Sequence, residues 1–294
     1  QMADQGLSGI LIPEEFGGSN FGLSGIGVVL QELGRTLTPS PLFATGGIGA
    51  SFLTKIGTDS QKQKYLPEIA NGNLTTCFAF EEGPRHKPII SEVTAEKKGK
   101  NYIINGKKSF VVDGGFADLI IIAAKTSKGP SLFLADKNSK GIDINIAKMV
   151  DSRNSANITF SDLEVSPENI LGEIDQAQDT IEEVLDISRA ALAAEMLGGA
   201  LEAFEITINY LKEREQFGVK IGSFQALQHR AANMFTELEL CKSCVLESLS
   251  CFDEKSNDIP RIVSLAKAKI GETFHLISNE GCLLYTSDAA DEAK

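Results

Sequence analysis

The sequence is poor in the residue patterns that carry most hydrolytic and metal chemistry. Its 294 residues include three histidines, and no HExxH motif is present. There is also no GxSxG motif for a serine nucleophile and no phosphate-binding P-loop. The single CxxC, Cys241-Lys242-Ser243-Cys244, has no second pair and no histidine nearby, whereas a structural metal site needs about four ligands. Hydrolase, NTPase and metal-site interpretations therefore have no support.

Long apolar runs and an excess of positive charge are also missing. No apolar segment reaches the roughly 20 residues that a membrane-spanning helix needs. The 28 Lys and Arg residues against 40 Asp and Glu residues give a net charge of −12, which disfavours nucleic acid and anionic membranes as partners. Five cysteines in a chain with no visible signal peptide are interpreted as reduced thiols. We therefore expect a cytoplasmic protein with no membrane span and no nucleic-acid partner.

The sequence does contain enough apolar residues for two or three globular cores, since 42% of it is hydrophobic. These residues recur at helical spacing over 23–33, with Gly34 as the expected stop, and again over 42–56. Thr58-Asp59-Ser60-Gln61 has the pattern of a capping box and predicts another helix start. Gly46-Gly47-Ile48-Gly49 lacks the preceding strand of a dinucleotide fingerprint, so we expect it to permit close helix packing.

From residue 74 the apolar pattern changes to a period of 2, which indicates β-strands. Asn105-Gly106 stands between two of these strands and predicts a tight turn. Many short strands at regular spacing are typical of a small antiparallel barrel or sandwich. The predicted strands are 74–80, 93–97, 102–104, 110–112, 119–124, 132–136, 142–146 and 158–160.

Helical spacing returns at residue 181. One run, 181–211, is much longer than a usual globular helix, and a second covers 224–252. Asp258 is the expected cap of a third helix, with Pro260 in its first turn. Long helices with short connections predict a helical bundle.

The connection between the two longest helices carries the most specific motif of the chain. Arg214-Glu215-Gln216-Phe217-Gly218 follows the first helix, and Phe224-Gln225-Ala226-Leu227-Gln228-His229 opens the second. These segments resemble the acyl-CoA dehydrogenases, in which this hairpin of one subunit reaches the FAD of a neighbouring subunit. Without the resemblance, the same residues would be interpreted as an ordinary helix-turn-helix corner with a solvated arginine.

The resemblance implies an α+β multidomain fold. It divides the chain into an N-terminal α-helical domain (1–73), a middle antiparallel β-barrel domain (74–172) and a C-terminal α-helical bundle (173–281). Both helical domains are expected to be incomplete. Residues 282–294 resemble a translated sequencing adapter, and we interpret them as a non-native tail.

The resemblance also implies the residues that bind the cofactor and the substrate. Arg214 would meet the FAD diphosphate, since a planar fork of donors suits two phosphate oxygens. Lys87 and Tyr210 are the substrate-binding candidates. The residues assigned to FAD are Arg214, Gln216, Phe217 and Gln225 in the hairpin, and Phe80, Phe110, Val111 and Val112 in the β domain.

Two flavin-facing positions depart from the family pattern. Glu81 stands where a threonine is expected, and a carboxylate beside a reduced flavin would repel it or be protonated. Val112 replaces the threonine whose hydroxyl bonds near flavin N5, although Phe110 can still lie against the ring. Arg85-His86-Lys87 would either place positive charge near the CoA phosphates or the flavin, or form a solvated basic loop; the sequence leaves both open.

No catalytic base can be assigned from the sequence. Most family members use a glutamate that is expected beyond this chain, and others place it early in the long bundle helix. Ser188 occupies that alternative position. Glu195 lies about two turns further along, too far to replace it. We therefore expect the chain as printed not to turn over acyl-CoA.

The resemblance implies FAD-dependent α,β-dehydrogenation of an acyl-CoA thioester to the 2-enoyl-CoA. Electrons would pass to an electron-transfer flavoprotein, and the protein would be a homodimer or homotetramer, with a hetero-oligomer as a further option. One alternative is a non-catalytic subunit that lends Arg214 to a partner's FAD. Another is a flavin-dependent monooxygenase or oxidase of the same fold.

Overall fold

Helices open the chain, strands occupy its middle, and three long helices close it, in the order that the sequence predicts. The computed structural model describes residues 2–87 and 90–289, with side chains described up to residue 282. The chain divides into two compact units. The first unit contains residues 1–22 and 39–188, and the second contains residues 23–38 and 189–294.

The helices of the first unit pack closely against its sheet. A π-helical turn, Phe43–Gly49, leads into α2 (Ala50–Ile56). A Cβ added at Gly49 would overlap the side chain of Thr76, so the glycine permits a close approach to a strand residue rather than the predicted close packing of helices. Helix α3 (Asp59–Ala70) begins with the predicted capping box: Gln61 N–H donates to Thr58 Oγ1, and Thr58 N–H donates to Gln61 Oε1.

One eight-stranded sheet forms the middle of the chain. Its order is β6-β7-β3-β2-β4-β5-β8, and β1 pairs with β4 outside this path. Most neighbours are antiparallel, as predicted, but β1 and β2 each run parallel to β4. The strands are β1 (Thr76–Ala79), β2 (Thr94–Lys98), β3 (Asn101–Val112), β4 (Leu119–Lys125), β5 (Pro130–Asp136), β6 (Ile142–Lys148), β7 (Asn154–Val165) and β8 (Ile170–Leu171).

The predicted turn at Asn105-Gly106 is wrong. These residues lie inside β3, which joins the two short predicted strands into one strand of 12 residues. The pairing of β3 with β7 shifts register between Ile104 and Gly106, as at a β-bulge. Gly106 has φ 131°, and an added Cβ would lie 2.9 Å from the Cα of Val93. The glycine therefore serves the close approach of a neighbouring strand rather than a turn.

Long helices form the second unit. They are α1 (Gly22–Arg35), α4 (Gln178–Glu213), α5 (Gln225–Asp253) and α6 (Ile259–Ala289), with α1 and α4 each beginning in the first unit. Gly34 is a buried residue of α1, and the helix ends one residue later at Arg35, close to the predicted stop. An added Cβ at Gly34 would overlap the main-chain carbonyl of Glu195, and one at Gly198 would overlap that of Gln31. Two glycines thus let α1 and α4 approach backbone to backbone.

A residue of α5 caps the first turn of α1. The backbone N–H groups of Leu23 and Ser24 donate to the carboxylate of Asp253 at the end of α5. A carboxylate at a helix N-terminus satisfies otherwise unpaired donors and matches the helix dipole. This contact joins the start of α1 to the end of α5, 230 residues apart in the sequence.

Candidate functional site

A bulge near the end of β3 presents Phe110 to solvent. The register of β3 against β7 shifts between Lys108 and Val111. Phe110 has φ 50° and a side chain 55% exposed, and its N–H donates to Asn157 Oδ1 at 3.3 Å. A non-glycine residue with positive φ typically costs on the order of 1–3 kcal/mol and tends to occur at functional sites. The bulge therefore marks a surface where a flat ligand can contact an aromatic ring.

A cleft of about 530 Å³ lies beside this ring. That volume is in the range of roughly 300–1,000 Å³ typical of small-molecule sites. The backbone of Glu81 is tied to β3, because Ser109 N–H donates to its carbonyl at 2.7 Å. The residues around the cleft are Glu81, Gly83, Pro84, Arg85, His86, Ser109, Phe110 and Asn157.

Glu81 and His86 form a pair at the cleft. His86 Nδ1 lies 2.6 Å from Glu81 Oε1. The His86 side chain is 54% exposed and that of Glu81 is 29% exposed. The imidazole also lies 6.1 Å from the ring of Phe80, which stacks on Phe78 at 5.4 Å. Glu81, which replaces the expected threonine, therefore has a partner for its carboxylate. The sequence did not predict this contact.

A buried ion pair holds the segment that carries this pair. Lys108 is fully buried in β3, and its Nζ donates to Glu82 Oε1 at 3.0 Å and to the carbonyl of Phe80 at 2.8 Å. Glu82 also accepts from the backbone N–H groups of Ser91, Glu92 and Val93. One carboxylate therefore joins the two ends of the loop that contains Arg85, His86 and Lys87. We call these contacts the Glu82–Lys108 clamp.

Both groups of the clamp have shifted pKa values. Burial alone would raise the pKa of Glu82, but three backbone N–H donors and the charge of Lys108 outweigh it and lower that pKa to about 2. Burial lowers the pKa of Lys108 to about 8, against the opposing attraction of Glu82. Both groups are charged at pH 7. Sequence reasoning missed this pair, because an alternating strand pattern does not reveal a lysine on the buried face.

The structure places the predicted β-domain site residues in different environments. Phe110 is exposed at the cleft, and Val112 is half-buried two residues later. Phe80 is buried, and Val111 belongs to the hydrophobic core, so the side chain of Val111 points into the domain. Lys87 is exposed, with its Nζ 3.4 Å from Glu92 Oε1. Their roles toward a cofactor or substrate stay predictions.

The hairpin residues lie in the second unit. Arg214 directly follows α4, with its N–H bonded to the carbonyl of Tyr210 and its carbonyl accepting from Ile221 N–H, both at 2.9 Å. A two-stranded ribbon then follows, β9 (Glu215–Gln216) and β10 (Val219–Lys220), which the sequence did not predict.

Phe217 and Gly218 form the tip of this ribbon. Both have positive φ, 55° and 78°, as a two-residue hairpin turn requires. Phe217 is 85% exposed, and its ring lies edge-on to Phe224 at 6.2 Å. Gln216 is half-buried in the ribbon, whereas Gln225 is exposed at the start of α5. The motif thus presents an aromatic tip beside polar groups.

One of the two positions considered for a base is a serine, and the other is a half-buried glutamate. Ser188 is buried, and its hydroxyl donates to the carbonyl of Val184 at 2.6 Å. Glu195 is half-buried on α4, where its main-chain carbonyl faces Gly34. Within residues 2–87 and 90–289, no three His, Cys, Asp or Glu side chains gather as a metal site would require.

The residues at the cleft fit a flat aromatic cofactor such as a flavin. Phe110 offers an exposed ring surface, and a backbone held at positive φ keeps it there. The carboxylate of Glu81 would disfavour an electron-rich ring, and its contact with His86 Nδ1 at 2.6 Å gives that carboxylate a hydrogen-bond partner.

Domain models of one family match successive parts of the chain. They are the acyl-CoA dehydrogenase N-terminal domain over residues 1–73, the middle domain over 84–163 and the C-terminal domain over 178–290. Mitochondrial isovaleryl-CoA dehydrogenase of Pongo abelii is 32% identical over 277 residues, 86% of this chain and 63% of that protein. Subunit CarC of the caffeyl-CoA reductase-Etf complex of Acetobacterium woodii is 32% identical over 293 residues, 96% of this chain and 76% of that protein.

A solved structure agrees with these matches. The crystal structure of an acyl-CoA dehydrogenase from Geobacillus kaustophilus matches with a TM-score of 0.89 at 30% identity, over 96% of this chain and 77% of that one. The predicted fold class, with helical, β and helical domains in that order, is confirmed. This chain spans less than two thirds of the isovaleryl-CoA dehydrogenase. The chain belongs to the acyl-CoA dehydrogenase family, whose members are flavoprotein oxidoreductases.

Proposed function

We propose that the protein binds FAD and removes two hydrogens from the α- and β-carbons of an acyl-CoA thioester, giving the 2-enoyl-CoA. The observation that carries this proposal is the cleft beside Phe110, where a strained bulge holds an exposed ring next to an open volume of about 530 Å³. FAD, when bound, supplies the acceptor for the hydride that leaves the β-carbon.

The chain's own residues would hold the cofactor in two places. In the first unit, the ring of Phe110 and the main chain of Val111 and Val112 would contact the flavin. In the second unit, Arg214 would bond to the diphosphate, and the exposed tip at Phe217 would lie against the cofactor of a neighbouring subunit. This arrangement requires a homodimer, a homotetramer or a hetero-oligomer, which we include in the proposal.

The electron acceptor would be an electron-transfer flavoprotein. The relative from Acetobacterium woodii is named as a subunit of a reductase-Etf complex, which supports an acceptor or donor of this kind. That relative is also named as a reductase, so the same residues would serve hydrogen transfer in either direction. On this proposal the protein acts in lipid or fatty-acid metabolism in the cytoplasm.

A second candidate function is a non-catalytic subunit of a heteromeric dehydrogenase. Glu81 and Val112 favour it, because neither can supply the hydroxyl hydrogen bond of the threonine that the family pattern has at their positions. Such a subunit would lend Arg214 to a partner's flavin and reduce no flavin of its own.

Anaerobic mixing of the FAD-loaded protein with saturated acyl-CoA thioesters tests the proposal. The panel covers short, medium, long and branched acyl chains, with the matching free acids as controls. Where the protein supplies the base, we expect at least one thioester to bleach the visible flavin absorbance and none of the free acids to do so. Retained FAD with no bleaching by any thioester would contradict the proposal and favour the non-catalytic subunit. The chain as printed, to which no base is assigned, is expected not to bleach the flavin; bleaching by it would place the base within residues 1–281.

A further inference from the structure

We infer that a second cleft of the first unit, between α3 and the ends of three strands, binds a small organic cation with an apolar body, such as a cycloalkyl or arylalkyl ammonium. We call it the α3 cleft, and Tyr65, Glu68, Leu134 and Glu164 are among its lining residues. It shares no lining residue with the Phe110 cleft. The inference therefore does not rest on the proposed function.

Regular elements form the walls of the α3 cleft. Lys64, Tyr65 and Glu68 lie on α3, and the opposite side is formed by the first residue of β4 and the last three residues of both β5 and β7. All of these residues belong to the first unit. The volume of about 410 Å³ lies in the range of roughly 300–1,000 Å³ typical of small-molecule sites. Because helix and strand residues hold the walls, the cleft is a preorganised cavity.

The inner side of the cleft is apolar. Four hydrophobic residues that line it are each at most 5% exposed, and they are Leu119, Leu134, Leu163 and Val165. Two of them, Leu163 and Val165, also belong to the hydrophobic core of the β domain. Removing apolar surface from water is favourable, so this lining favours a ligand with an apolar body over a small hydrated ion.

The polar part of the lining is negatively charged. Its acidic residues are Glu68, Asp118, Asp136 and Glu164, and among the lining residues that the structure describes Lys64 is the one cation. Asp118 accepts from the ammonium of Lys137 at 2.8 Å. Glu164 accepts from the neutral side-chain amide of Asn101 at 2.6 Å. The carboxylates therefore outnumber the ammonium groups beside them, which favours a positively charged ligand.

An aromatic ring at the same cleft already has an ammonium group beside it. Lys64 Nζ lies 4.7 Å from the centre of the Tyr65 ring and 3.1 Å from its hydroxyl. A cation within about 6 Å of a ring centre is attracted by the negative face of the ring. Since Lys64 is an exposed, flexible side chain, the cation of a ligand can take the place of its ammonium.

The same charges do not form a metal site. In the part of the chain that the structure describes, no three His, Cys, Asp or Glu side chains gather to hold a metal ion. The carboxylates are instead spread around an apolar cavity next to an aromatic ring. This combination matches an organic ammonium, whose charge contacts the carboxylates and the ring while its body covers the apolar lining.

Isothermal titration calorimetry of the full chain with matched probes separates the charge from the apolar body. The probes are cyclohexylmethylammonium, neutral cyclohexylmethanol, anionic cyclohexanecarboxylate and methylammonium, which has the charge without the body. We expect cyclohexylmethylammonium to bind about tenfold or more tightly than each of the others. One cation–π contact and one or two exposed ion pairs together account for a factor of this size.

Substitutions locate the bound cation. Glu164→Gln should weaken binding of cyclohexylmethylammonium about two- to fivefold, as for one exposed ion pair, and Tyr65→Leu should weaken it by removing the ring. Lys64→Met should tighten binding about two- to fivefold, because a competing ammonium is removed. The control Glu96→Gln changes an exposed carboxylate on β2 outside the cleft and should bind like the unmodified chain. Unfolding midpoints are measured for every variant.

The tightening expected in Lys64→Met is the decisive result, because loss of fold cannot raise an affinity. Equal affinities for cyclohexylmethylammonium and cyclohexylmethanol would overturn the inference, and so would no binding of the ammonium at millimolar concentration. Binding that neither Glu164→Gln nor Tyr65→Leu weakens would place the cation elsewhere and also overturn it. Binding of a basic, leucine-containing hexapeptide without binding of the ammonium would indicate a protein partner instead.

Discussion

Lys108→Met tests whether the Glu82–Lys108 clamp holds the loop beside the cleft. Methionine keeps most of the length of the side chain but removes the ammonium, which contacts the Glu82 carboxylate at 3.0 Å and the Phe80 carbonyl at 2.8 Å. The lysine side chain is fully buried, and that of Glu82 is 4% exposed. The substitution therefore leaves a buried carboxylate without its counter-charge.

The expected cost follows from the partners that remain. Removing one member of a buried ion pair typically destabilises a protein by about 3–5 kcal/mol. Glu82 keeps the backbone donors of Ser91, Glu92 and Val93, so we place the loss near the lower end, at about 3 kcal/mol. Lys107→Met, at the exposed neighbouring position, should change the free energy of unfolding by no more than about 0.5 kcal/mol.

Urea unfolding of the two variants measures this difference, and the single variant Glu82→Gln together with the double variant Glu82→Gln/Lys108→Met completes a cycle. We expect a coupling energy of about 1–3 kcal/mol between the two positions. Equal midpoints for Lys108→Met and Lys107→Met, with unchanged slopes, would refute the clamp.

The clamp also predicts how stability depends on pH. The folded-state pKa of Glu82 is lowered from 4.5 to about 2. Its stabilising contribution is therefore complete above pH 4.5 and is lost as the pH falls from 4.5 toward 2. Since the charge of Lys108 lowers that pKa in part, this acid loss should be smaller in Lys108→Met. An identical loss of stability below pH 4.5 in the unmodified chain and in Lys108→Met would contradict the charge interaction between Glu82 and Lys108.

Three further substitutions test the packing and the cofactor residues. Gly198→Ala should lower the free energy of unfolding by about 1–3 kcal/mol, because the new methyl group overlaps a main-chain carbonyl of α1. The control Gly271→Ala, with open space around it, should be neutral or stabilise by up to about 1 kcal/mol. Equal unfolding midpoints for the two variants would contradict the close packing. Arg214→Ala should lower FAD retention about tenfold or more, as expected for a charge-assisted bond worth roughly 1.5–3 kcal/mol. The control Lys212→Ala should retain FAD like the unmodified chain. Unchanged flavin content of Arg214→Ala after gel filtration would exclude the assignment. Val112→Thr should shift the flavin spectrum and reduction potential by restoring a hydroxyl donor, so an unaltered spectrum in a folded, FAD-loaded variant would show that this residue does not face the ring.

Local patterns predicted the elements well where a single stretch of sequence decides them. The capping box at Thr58–Gln61 involves groups three residues apart, and the structure contains both of its hydrogen bonds. The change from helical to alternating spacing near residue 74 matches the start of β1 at Thr76. The error at Gly106 has a tertiary cause: the glycine looks like a turn locally, but it permits the close approach of the backbone at Val93.

Motif resemblance predicted the family from the segments around Arg214, and the domain models confirm it. The ribbon that presents Phe217 was missed, because strands of two residues leave no periodic pattern. The buried Lys108 was also missed, since its partner lies 26 residues away in the chain.

The sequence by itself determined which segments of this protein are helical or β, and to which family it belongs. Periodicity, caps and motifs each depend on residues that lie close together in the sequence. Only the tertiary structure decided what the unusual residues contact. Glu81 alone is a misplaced carboxylate, and His86 alone is one member of a basic loop; folding puts them 2.6 Å apart beside Phe110. The reason is physical: the loop between them is closed by Glu82 and by Lys108 of another strand, and no local pattern encodes a contact made by closing a chain onto a distant strand.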